Sequence, residues 1–286
     1  MQPVDYKREI LNAISNSTDL PTESSSPLEH YRRSANDAWN LVVYVKRNVT
    51  KANYYPKSFD GHRSRLHAMC MASIVGAFER FLKELSVVCV NNLKEFSLDA
   101  RLDEFSLKGS VVAAHFNTQS VGNALCEADT WLNLDTVNKK FRKLLADPFE
   151  DGSFYVFPMK TQHGLQDAVN RSQLILAVFQ LRHTLVHNLG VITESDATKL
   201  RRILQAPIEG NKVLRPSSWN VVQVKKILDE ATKDINLRMA IRLAELLEKM
   251  HQESYMIVDP ASKAQELATL FRTSVTICGH AASPLD

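Results

Sequence analysis

Glycine and proline are scarce, nine and ten in 286 residues. That excludes a fold of many short strands joined by tight turns. The four cysteines, Cys70, Cys89, Cys126 and Cys278, are far apart, and no two stand at metal-ligand spacing. Neither a disulfide framework nor a zinc ribbon follows. Cys70 and Cys89 lie in an apolar helical pattern, where cysteine acts as a small hydrophobe, so reduced structural thiols are expected. No stretch approaches the ~20 consecutive apolar residues that span a bilayer. Met1 to Ile10 is charged and lacks the apolar centre of a signal peptide. A cytoplasmic protein with no membrane partner is the expectation. Charge of one sign is also lacking: 35 basic against 32 acidic residues give a net +3. Any nucleic acid must therefore bind at a local patch. No Gly-x4-Gly-Lys, Gly-x-Gly-x-x-Gly or Gly-x-Ser-x-Gly pattern occurs. P-loop hydrolysis, dinucleotide cofactors and hydrolase-fold acyl transfer are disfavoured, and no cofactor is expected.

What is present is helical periodicity. Hydrophobic residues make up 44% of the chain, enough to bury a large core. A short amphipathic helix is expected over Val4–Ile14, then a Ser/Thr/Pro-rich linker from Asn16 to Pro27. A second helix runs to about Val49, with Ala38, Leu41, Val42 and Val45 on one side. After a loop from Tyr54 to Gly61, a long helix is expected from His62 to about Leu93. Its Met71, Val75, Phe78, Leu82, Leu85 and Cys89 form a packed seam, flanked by Ile74, Phe81 and Val88. Ser106–Glu127 fits helix or short strand, with Gly122 as an interruption. Leu134–Leu145 reads as a helix with Val137, Phe141 and Leu144 inward and Lys139, Lys140, Arg142 and Lys143 outward. Asp147–Gly164 is a loop whose Phe154-Tyr155-Val156-Phe157 forms a strand or an aromatic plug. Further helices are expected over Leu165–Asn188, Ser195–Leu204 with Ser195 as N-cap, Val221–His251 and Ala261–Phe271, before a weakly structured tail. The fold class is all-α.

The most informative stretch is Leu181-Arg182-His183-Thr184-Leu185-Val186-His187-Asn188-Leu189-Gly190. Ile175, Phe179, Arg182 and Val186 follow one another at helical steps, so Arg182 replaces a hydrophobe on a face that protein should cover. A guanidinium stays charged when buried, so a carboxylate or an anionic ligand is expected beside it. His183 and His187 are one turn apart. Arg182 and His187 are about 140° apart around a regular helix, so convergence needs the long arginine to reach round or the helix end to distort. Imidazoles supply both an acid and a base near neutrality, and an arginine fork matches phosphate oxygens. Together they suit metal-free cleavage of RNA by its own 2′-hydroxyl.

Arg182, the polar residue after it and His187 resemble the Arg-x4-His signature of the HEPN superfamily, all-α domains that include metal-independent endoribonucleases. Asn188 and Gly190 resemble the motif's tail. Glu79-x3-Lys83 on the long helix resembles the polar pair many of these ribonucleases carry on a neighbouring helix. The resemblance implies a HEPN-type bundle over 61–192 with an inserted segment around 94–163. Residues 1–60 would form an N-terminal extension and linker, and 193–286 a C-terminal helical region packed on the core. It further implies a homodimer in which two motifs share one cleft. His187 would be the principal acid/base, Arg182 the phosphate binder, His183 a second proton carrier or orienter, Glu79 the holder of Arg182 and Lys83 a phosphate contact. The implied setting is a toxin, with a neutralising antitoxin or regulatory partner, or an antiphage effector.

Other uses of the same residues compete. Arg182 and a helix-end histidine often serve only as dipole partner and cap. Glu79 and Lys83 also fit an ordinary i,i+4 surface pair. His183-x3-His187 has zinc-ligand spacing, but Thr184 stands where a zincin needs Glu and no third ligand follows, so no metal is expected. A catalytically silent dimerisation module and a nucleotide-binding protein are the alternative functions. Lys199, Arg201, Arg202, Lys212 and Arg215, with Lys225 and Lys226, face the single acid Glu209 between Lys199 and Lys226. They form a candidate RNA-binding stretch in which Trp219 either stacks on a base or anchors packing. Lys139, Lys140, Arg142 and Lys143 form a second candidate ridge. His62, Arg63, Arg65 and His67 are candidates without a defined role.

Overall fold

Apolar side chains recurring every three or four residues over more than thirty positions favour one long buried helix, and that helix organises the molecule. The structure is a computed structural model, and it describes residues 26–49, 59–93, 105, 121–127, 131–145, 165–253 and 257–284. The expectations for 4–14, nearly all of the 16–27 linker, 54–58, 106–120 and 147–164 fall outside the described residues. Eight helices and four strands of two or three residues are present among the described residues, so the chain is all-α.

Helix α1 spans Pro27–Val49, with Pro27 in the first turn, where its missing N–H costs nothing. The amides of Glu29 and His30 donate to the Ser26 carbonyl at 3.1 Å. Its inward stripe is Leu28, Tyr31, Ala35 and Val42; Leu41, expected inside, is exposed. Helix α2, Phe59–Leu93, starts three residues earlier than expected and takes in Gly61. The seam from Met71 to Cys89 is buried, with Ile74 and Phe81 beside it. This helix contacts α1, α3 (Val121–Glu127), α4 (Leu134–Leu145), α5 (Leu165–His187) and α7 (Ser218–Gln252). Gly122 does not break α3. A Cβ there would stand 2.8 Å from the Val87 carbonyl oxygen on α2, so glycine lets the two helices close.

Lys140 on α4 is buried, not outward as expected. Its ammonium lies 4.9 Å from the centre of the Trp131 ring and 5.8 Å from that of Phe105, where aromatic faces replace part of its hydration. Helix α6, Glu194–Leu204, is capped by Thr193 and not by Ser195. Helix α7 starts at Ser218, capped by Ser217, and contributes a fully buried line from Val221 to Leu247 to the main core. After α8, Pro260–Phe271, the expected loose tail is instead a hairpin of β3 (Val275–Ile277) and β4 (His280–Ala282). It is ordered because Val275 and Ile277 alternate into the core. One hydrophobic cluster runs from Tyr31 on α1 to Ile277 on β3.

Candidate functional site

Three consecutive turns of α5 set the site. Ile175, Val178 and Phe179 are buried, and the Phe179 ring lies 6.0 Å from that of Phe78 on α2. One turn after Phe179 comes Arg182, and one residue after Phe78 comes Glu79, so this aromatic contact brings the two charges together. Arg182 Nη2 is 3.8 Å from Glu79 Oε2, with the side chains 25% and 28% exposed. The contact is long for a charged hydrogen bond, and at this exposure it adds little stability. It orients a half-buried guanidinium and, among the described residues, leaves most of its five donors without a partner. Glu79 pairs with Arg182 and not with Lys83, which lies half-buried one turn further along α2.

His183 and His187 are exposed, with ring centres 4.8 Å apart. Among the described residues neither ring has a hydrogen bond or ion pair. Beyond them the helix ends: the amides of Asn188 and Gly190 both donate to the Thr184 carbonyl, at 3.1 and 3.0 Å. Leu189 and Gly190 take left-handed φ angles of 49° and 84°. Gly190 suits that region; Leu189 does not, and its side chain is 89% exposed. The chain then enters β1 (Val191–Ile192), which pairs antiparallel with β2 (Lys212–Val213).

Asp196 was not singled out in the sequence, yet it holds this helix end in place. It is buried and accepts from Gln180 Nε2 at 2.8 Å, from Asn188 Nδ2 at 2.7 Å and from the Thr193 amide at 3.3 Å. The Thr193 hydroxyl accepts from the Asp196 amide, closing a capping box. Burial alone would raise its pKa, but the bonds from Thr193, Asn188 and Thr184 outweigh burial and hold it below the usual carboxylate value. Asn188 is thus a structural member of the site, its carboxamide engaged by Asp196. The signal was Thr193-x-x-Asp196, a cap and an acid three residues on.

The candidate basic stretch is not a uniform patch. Arg201 donates to the Ile208 carbonyl at 2.6 Å and pairs with Glu194 at 3.2 Å, while Lys212 pairs with Glu209 at 3.1 Å. Lys199 and Arg202 are exposed on α6. Arg215 opens onto a cavity of about 410 Å³ that also takes in Lys46, Arg63, Ser64 and His67. Trp219 is 67% exposed. The second ridge loses Lys140 to the core. His62, Arg63 and Arg65 are exposed, whereas His67 is buried with its Nδ1 3.1 Å from the Pro216 carbonyl. Burial holds His67 below the ordinary imidazole value, aided by Arg63 and opposed by that carbonyl. Among the described residues no three His, Cys, Asp or Glu side chains cluster, and the four cysteines are free thiols. Among the described residues no helix is long and apolar enough to cross a membrane. No family model, curated protein or solved structure matches the chain.

Proposed function

We propose that this chain is a metal-independent endoribonuclease, built as a HEPN-type bundle and acting as a homodimer. The observation that carries the proposal lies on the last two turns of α5: two solvent-facing imidazoles in contact, on the same helix as a half-buried guanidinium whose only ion-pair partner among the described residues is the Glu79 carboxylate 3.8 Å away. One imidazole takes the proton of a ribose 2′-hydroxyl, and the freed oxygen attacks the adjacent phosphorus. The bond to the 5′-oxygen breaks as an imidazolium protonates it, leaving a 2′,3′-cyclic phosphate and a 5′-hydroxyl. Arg182 stabilises the charge that accumulates on the phosphorane oxygens. His187 is the principal acid/base and His183 the second proton carrier; Lys83 adds a phosphate contact from α2. DNA, lacking the attacking hydroxyl, is not cut.

Pairing of two motif helices is supported by an exposed apolar rim at the end of α5. Val186 in its last turn, and Leu189, Val191 and Val213 on the turn and strands that follow, are all exposed. Leu189 is 89% exposed in a left-handed backbone, and a second copy seated here would cover it together with its neighbours. The same rim supports a silent dimerisation module if RNA is not cut. The setting that the HEPN resemblance implies is growth arrest as a toxin held by an antitoxin, or antiphage defence. Cleavage of RNA in EDTA, abolished in both Arg182→Ala and His187→Ala, is the expected outcome. Cleavage that survives either substitution refutes the assignment.

A further inference from the structure

Two cavities on the α1 side of the molecule, of about 410 and 540 Å³, share Val42, Lys46 and Ser218 in their walls. One is lined by Arg63, His67 and Arg215, the other by Trp39, Arg47 and Trp219. No Asp or Glu is among the described residues lining either. The N-terminus of the 35-residue helix α7 opens between them, with no acidic residue in its first turn. Trp219 sits in that first turn with 67% of its surface exposed.

We infer that this groove binds a single strand of RNA, with a base stacked on Trp219 and its phosphates against Lys46, Arg47, Arg63 and Arg215. Backbone-tracking cations interleaved with an open aromatic face are what an unpaired strand requires; in a duplex the base faces are hidden. The positive end of the α7 dipole adds to the attraction for phosphate. The choice of RNA rests on the ribonuclease reading, but the groove's geometry does not. The groove adjoins the segment that follows the motif: the Leu214 amide donates to the Gly190 carbonyl at 2.8 Å, and Arg215 is the next residue. In this reading the groove is the principal RNA-holding surface, and of the Lys199–Lys226 stretch it uses Arg215 and Trp219.

A short 2′-O-methyl RNA oligonucleotide tests this without cleavage, because it lacks the attacking hydroxyl. Of the three tryptophans, Trp131 is buried, so a change in fluorescence reports Trp39 and Trp219. Saturable quenching is expected with the single strand and much weaker quenching with the matching duplex. Trp219→Ala should weaken binding at least about fivefold and Trp219→Tyr should retain most of it. Lys46→Ala with Arg47→Ala should flatten the plot of log affinity against log salt by about 1.4, at ~0.7 per lost phosphate contact. Absence of quenching, unchanged affinity in Trp219→Ala, an unchanged salt slope, or equal binding of duplex each overturns the inference. Quenching without cleavage of ordinary RNA would remove the ribonuclease reading and leave the groove; cleavage without quenching would do the reverse.

Discussion

Arg182 is held near Glu79 but not neutralised by it, since a 3.8 Å contact between side chains a quarter exposed is weak. An anion that supplied closer oxygens would displace it. Arg182→Ala should therefore leave stability within about 0.5 kcal/mol while lowering RNA cleavage by about 10²–10³-fold. His187→Ala should lower it by about 10²–10⁴-fold. Thermal melts and initial rates check both. Asp196 is the opposite case, a residue whose loss is felt in the fold. Asp196→Ala strands the Gln180 and Asn188 amides and opens the α6 cap, and should cost about 3 kcal/mol by urea denaturation. Asp196 is held below its ordinary pKa of 3.8, so its contribution is present above that value and lost as pH falls through the lower, folded-state value. The Arg182–Glu79 pairing was legible in the sequence because a fixed charge on an apolar helical stripe demands a partner. Asp196 was not, because its importance arises from three partners on α5 and the cap that only meet in space.

Among the elements, α2 and α5 were readable almost to their ends, since a buried seam repeats over many turns and outweighs any single breaker. Gly61 and Gly122 misled for that reason. Glycine lowers helix propensity by about 1 kcal/mol, which tertiary contact overrides. At Gly122 the missing side chain is what allows α3 to rest on the Val87 carbonyl. Gly122→Ala should cost about 1–3 kcal/mol in chemical denaturation. The junction of α2 with the segment before α7 depends on His67, buried against the Pro216 carbonyl. Its pKa lies below 6.5, so neutral His67 supports the fold fully above that value, and support is lost as pH falls through the lower folded value. Stability measured from about pH 6.5 to about pH 5 should decline in the native chain and less steeply in His67→Gln. Lys140 shows the limit of pattern alone. On the sequence it belongs to a basic ridge, whereas in the structure it faces inward beside the Phe105 and Trp131 rings, which come together only in space.

At the scale of the whole molecule, one continuous apolar core joins α1 to the C-terminal hairpin. His183 and His187 are exposed at the end of α5, and Val186, Leu189, Val191 and Val213, in its last turn or on the segments that follow, are exposed as well. If two copies meet there, Val186→Asp and Leu189→Asp should yield monomers by light scattering and lose RNA cleavage together, with melting temperature changed little. Leu189→Gly is the sharper variant. It relieves a left-handed backbone and should stabilise the isolated chain by about 1 kcal/mol while weakening the dimer. The central claim is that α5 ends in a ribonuclease centre that uses imidazoles and a guanidinium in place of metal. Its most direct measurement is end-group analysis of RNA incubated with the purified protein in EDTA. The account predicts fragments ending in 2′,3′-cyclic phosphate with 5′-hydroxyl partners. Intact RNA, or fragments bearing 5′-phosphate, would contradict it.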